Sequence, residues 1–132
     1  MTFETKQLPT SPDLRAPDGS DVRVLLALAG GSMAHFELRP DLTSQATAHS
    51  TVSEIWYVVG GQGEMWRRLD DQEEVVDLAA GICLSIPEGT AFQFRTTGPD
   101  PLRAIAITMP PWPGETEAYE VPGKWVAKLS DG

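Results

Sequence analysis

Residues 49–66 read HSTVSEIWYVVGGQGEMW. Within this stretch EIWYVV (54–59) is a run of β-branched and aromatic residues, closed by the glycine-rich GGQG (60–63). A second alternating run, GEMWRRL (63–69), follows directly, so the segment reads as two antiparallel strands joined by a tight turn. Strict alternation along 54–59 puts Glu54, Trp56 and Val58 on one face and Ile55, Tyr57 and Val59 on the other. A carboxylate that shares a face with a tryptophan is placed to line a pocket. The alternative is a solvated glutamate on an edge strand.

The same pattern extends outward in both directions. Short apolar runs at 21–29, 33–40, 73–78, 82–87, 91–97 and 102–109 are separated by Gly, Pro and Asp at close intervals, and no stretch carries a sustained helical period. Regularly spaced short strands of this kind predict an all-β sandwich or barrel. At 132 residues there is room for one domain. Residues 1–20 read as an N-terminal extension or edge segment, 21–110 as the barrel, and 111–132 as a C-terminal extension packing on it.

Charge and composition remove several classes of partner. Nineteen acidic against ten basic residues give a net charge of −9, which repels phosphate backbones and anionic membrane surfaces, so neither nucleic acid nor membrane is expected as a partner. The opening MTFETKQLPTSPDLRAPDGS has no apolar run long enough for a signal-peptide core, and nothing later approaches a membrane span, which predicts a cytoplasmic protein. Cys83 lies in ICLSIP, where a small buried hydrophobe is the natural reading. No nucleophile elbow, phosphate-cradling loop or cysteine-rich zinc pattern occurs. The run DVRVLLALA is too apolar for two solvated faces, so a homodimer is expected.

The order of His49, Glu54 and Gly61 resembles the first motif of the cupin superfamily, in which they match the second His, the Glu and the closing Gly. Gly81, Pro87 and Gly89, in GICLSIPEGTAFQF, match the second motif. The resemblance covers residues 41–96 and implies a single-domain, jelly-roll-like β-barrel. The departures are as informative. Thr47 stands at the first His position, Phe92 at the motif-two His position, and Asp41 and Thr96 replace the opening Gly and closing Asn. Cupin metals are held by imidazoles and a carboxylate, so two of the usual ligands are missing.

What the resemblance implies for function is a pocket around His49 and Glu54 that binds a small molecule, with these two residues as acid and base or as metal ligands. His35, in MAHFELRP, is a third candidate ligand if it faces inward. A divalent Mn, Fe, Zn or Ni ion on His49, Glu54 and His35 is one expectation, and a metal-free pocket is the other. His35, Thr47, Trp56, Phe92, Phe94 and Trp112 are expected to contact the substrate, Trp112 by capping the mouth from its stiff proline-flanked segment. Arg67 and Arg68 form a basic pair able to take a carboxylate or to sit in solvent. The chain is expected to be an isomerase, cyclase, lyase or dioxygenase-like enzyme, with a non-catalytic binding cupin as the alternative.

Overall fold

The computed structural model describes residues 2–130. Its regular elements are all strands: β1 (Leu14–Arg15), β2 (Asp21–Leu28), β3 (Gly31–Leu38), β4 (Thr47–His49), β5 (Ser53–Gly60), β6 (Gln62–Leu69), β7 (Gln72–Ala79), β8 (Cys83–Ile86), β9 (Ala91–Thr96), β10 (Leu102–Met109) and β11 (Ala118–Glu120). They form two antiparallel sheets in the jelly-roll manner, one ordered β1-β2-β3-β10-β5-β8 and the other β11-β4-β9-β6-β7. Among the described residues no backbone ladder joins the two sheets at their edges. No helix of the described residues is long and apolar enough to cross a membrane.

Alternation decides which side chains enter the core. On the first sheet Leu38, Trp56, Val58, Leu84, Ile86, Leu102, Ala104 and Ala106 point inward, and on the second Met65, Leu78, Phe92 and Phe94 meet them. Trp56 fills the centre, stacked on Phe36 with ring centroids 5.8 Å apart and edge-on to Phe94 at 5.0 Å. The GGQG turn has a specific demand for glycine. Gly61 sits at φ +80°, and a Cβ there would lie 2.2 Å from the Pro101 carbonyl oxygen.

Register lays rows of inward side chains across the second sheet. Thr47 pairs with Phe92, Phe92 with Arg67, and Arg67 with Glu74. One step nearer the loops, His49 lies two residues beyond Thr47 and Thr90 two residues before Phe92, while Leu69 pairs with Gln72. Gly89 N donates to the His49 carbonyl at 3.1 Å, which brings the β8–β9 loop against β4.

Three sequence expectations change. Cys83 is exposed, because β8 alternates and turns Leu84 and Ile86 inward, leaving Cys83 and Ser85 outside. His35 faces away from the core: it pairs with Ile105, which pairs with Tyr57, on the face opposite Trp56. The apolar set Phe36 and Leu38 claims the interior of β3 instead. Arg67 also faces inward and bridges the sheets, donating from Nη1 to the Ser85 carbonyl at 2.7 Å and pairing through Nη2 with Glu74.

Candidate active site

His49 and Glu54 come from opposite sheets. The three residues of β4 hold His49 between Ala118 of β11 and the β8–β9 loop, while Glu54 is the second residue of β5 and pairs with Ile86 and Thr108. Their side chains meet across the interior with Nδ1 3.4 Å from Oε2, and they are 7% and 3% exposed. That separation is longer than a formed hydrogen bond, and Nδ1 is sequestered without another partner. The other carboxylate oxygen, Oε1, accepts a hydrogen bond from Trp56 Nε1 at 2.6 Å. Two aromatic edges box in the imidazole, Phe92 at 5.2 Å and Trp112 at 5.0 Å between centroids. Trp112 is held there by its own backbone N–H, which donates to Ser32 Oγ at 2.9 Å.

Burial drives both groups toward their neutral forms. Desolvation pushes the Glu54 carboxyl up to about 7, against the Trp56 hydrogen bond, which favours the ion, and with a further push from the negative charge of Asp18. Desolvation likewise holds the His49 imidazolium below its usual range, partly countered by the negative charge of Glu117. Although the two side chains lie within ion-pair distance, the charged pair is therefore not the favoured state. The Glu54 carboxyl, pushed up to about 7 by burial, is the group of the pair poised to change charge near neutral pH.

A family model described as the cupin domain matches residues 34–108. The chain belongs to the cupin family. No curated relative matches the sequence. Among solved structures, this cupin resembles Streptomyces Pac13, described as a nucleoside dehydratase and solved with uridine, at 20% identity and TM-score 0.71, with 92% of each chain covered. It also resembles oxalate decarboxylase from Bacillus subtilis, at 15% identity and TM-score 0.70. That match covers 81% of this chain and only 29% of the decarboxylase, so this cupin spans less than a third of that protein's length. A double-stranded β-helix protein from Klebsiella pneumoniae aligns at 17% identity and TM-score 0.62, covering 79% and 85%. At such identities the likeness is one of fold.

The ring of expected site residues divides in two. Phe92 and Trp112 touch His49, Thr47 sits beside Phe92 on the same inward row, and Trp56 reaches the pair through Glu54. Phe94 packs behind Trp56 in the core. His35 lies on the outer face, where Arg23 pairs with it across the strands and Arg103 and Glu37 act on its charge. It therefore cannot complete the ligand set with His49 and Glu54. Among the described residues no cluster of three or more His, Cys, Asp or Glu side chains converges. With Thr47 and Phe92 where imidazoles would stand, the donor set of this cupin does not fit a resident divalent metal.

Two residues escaped the sequence reading. Glu117, from the C-terminal segment, is 3% exposed and accepts hydrogen bonds from Thr51 N at 2.8 and 3.0 Å and from Thr51 Oγ1. No spacing in the sequence links it to His49. Thr90 is 2% exposed, and its hydroxyl is buried without a partner. Counting back two residues from Phe92 points to it.

Proposed function

We propose that this cupin is a metal-independent acid–base enzyme, a lyase or isomerase acting on a small carbonyl compound, with the His49–Glu54 dyad as its proton-transfer centre. The observation that carries the reading is the buried 3.4 Å pair whose carboxyl titrates at about 7. With Glu54 protonated, the acid can donate to Nδ1, and Nε2 then carries a hydrogen and acts as a donor. With Glu54 ionised, the carboxylate draws the ring hydrogen to Nδ1, and the Nε2 lone pair becomes a base. An imidazole of this strength removes a proton from carbon only where a neighbouring carbonyl acidifies it. In a β-hydroxy carbonyl compound, Nε2 takes the α proton, the carbon–carbon π bond forms and the β carbon–oxygen bond breaks. The imidazolium then returns the proton to the leaving oxygen, which departs as water. Pac13, similar in length and fold, is described as a nucleoside dehydratase, which is a reaction of this class.

Mn(II) centres are named for oxalate decarboxylase, a neighbour at 15% identity. Here Glu54 and His49 act without one. Non-catalytic binding is the second reading, favoured by the aromatic rings of Phe92 and Trp112 packed edge-on to His49. The test is deuterium incorporation at the α carbon of β-hydroxy carbonyl probes in D2O, followed by NMR. Exchange or loss of water is expected with the native protein and about 100-fold slower with His49→Gln. Equal rates for the two proteins overturn the enzymatic reading.

A further inference from the structure

Phe92, whose edge meets the His49 ring, pairs on its other side with Arg67 of β6. Beyond that ring lies a depression of about 370 Å³, lined among others by Arg67, Leu69, Gln72, Glu74, Pro87 and Thr90. His49 and this depression lie on the same face of one sheet, because Thr47, Phe92, Arg67 and Glu74 form a single cross-strand row and Phe92 touches the His49 ring. From β4 to β6 the distance is two strand spacings, about 10 Å.

Two buried polar atoms at this depression lack partners, Thr90 Oγ1 and Arg67 Nε. Each such group carries a desolvation cost that only a partner offsets, and none is supplied by the chain. The Thr90 residue is 2% exposed, so the orphaned hydroxyl is built in and is not a frayed surface group. Glu74 already faces the Arg67 guanidinium, and Glu73 adds a second carboxylate to the lining. An anionic ligand would meet that acidic excess and the net charge of −9. A neutral group that both donates and accepts fits the mixture of guanidinium, carboxylate, amide and hydroxyl.

We infer that this depression is the second half of the ligand site, taking the vicinal hydroxyls of a neutral, polyhydroxylated ligand about 10 Å long whose reacting end lies at His49. The inference rests on the reading of His49 as the reaction centre. Arg67 and Thr90 are then specificity residues, Thr90 Oγ1 and Arg67 Nε contacting ligand oxygens and Glu74 accepting from a ligand hydroxyl.

The probes are uridine, which is neutral and carries a vicinal diol, 2′,3′-dideoxyuridine, which lacks it, and uridine 5′-phosphate, which is anionic. Binding is followed by NMR on the intact protein, alongside thermal unfolding. Uridine is expected to shift the signals of Thr90, Arg67 and His49 together. Loss of the diol, or Thr90→Val, weakens binding about threefold to tenfold. The phosphate binds no better than uridine. Thr90→Val leaves the melting temperature unchanged or higher, since the hydroxyl it removes has no partner in the fold. Arg67→Lys weakens uridine binding in the same way. Equal affinity for uridine and its dideoxy form, tighter binding of the phosphate, no uridine binding at millimolar concentration, or a Thr90→Val protein that binds normally each overturns the subsite. Titration of His49 and Glu54 in the same samples reads the reaction centre separately. A normal dyad titration with an unresponsive Thr90 rejects the subsite alone, and a responsive Thr90 with ordinary His and Glu titrations rejects the dyad alone.

Discussion

Glu54 titrates because water is kept from it, and that has a thermodynamic signature apart from any reaction. Its carboxyl rises from 4.5 to about 7 on folding. Below pH 4.5 both states hold the proton, and between 4.5 and 7 only the folded state does. Stability from this group therefore falls as pH rises through that window and stays low above it, by up to about 3 kcal/mol. His49 acts in the opposite sense, since its depressed value makes the folded state lose stability as pH falls below 6.5. Denaturation of the native protein and of Glu54→Gln at pH 5 and pH 8 isolates the first effect. The variant is expected to gain on the native protein at pH 8, and an equal difference at both pH values refutes the burial argument. Trp56→Phe removes the hydrogen bond that favours the ion, so the Glu54 titration should move above 7, as read by the carboxyl carbon shift.

The eight longer strands could be read from the sequence, because period-two alternation and turn glycines are local signals. The short β4 could not, although it carries His49. Three residues held by β9 and β11 have no periodicity to detect, and only the spacing of His49, Glu54 and Gly61 pointed there. His35 shows the limit of alternation, which pairs faces correctly but does not say which one is inside. Glu117 and Asp18 reach the dyad from distant segments, and no sequence separation encodes that. The β5–β6 turn offers a test of the local reading. Gly61→Ala adds a backbone collision at 2.2 Å to the left-handed cost, whereas Gly81, at φ +96°, faces open space. Urea denaturation should show about 1–2 kcal/mol lost for Gly81→Ala and clearly more for Gly61→Ala. Equal losses would mean the turn relaxes freely.

At the scale of the molecule, the outer face of the first sheet remains uncovered around Met33, Ile55, Tyr57 and Val59, which are 38%, 47%, 50% and 42% exposed. Register brings Ile105 and Ile107 between them, so these side chains make one contiguous apolar surface. We propose that a second copy packs there through a two-fold axis, which would make the expected homodimer. Sedimentation at micromolar concentration should show a dimer, and Tyr57→Asp should yield a folded monomer. A native monomer under those conditions would remove the dimer. The opposite outer face needs no such cover, because Gln93 binds the Trp125 backbone from both ends of its amide and ties the C-terminal segment across it.

The edge-on contact of Trp112 with His49 gives the site an optical voice. Of the four tryptophans, Trp56 and Trp66 are each 2% exposed and Trp125 is half-buried, while Trp112 is 42% exposed and stands over the imidazole. A protonated imidazole takes an electron from an excited indole far more readily than a neutral one does. The fluorescence of Trp112 should therefore brighten as His49 loses its proton and change again when a ligand parts the two rings. With Trp112→Phe as the blank, the difference spectrum reports protonation and occupancy without a label. A pH-independent difference would place the His49 titration outside the accessible range.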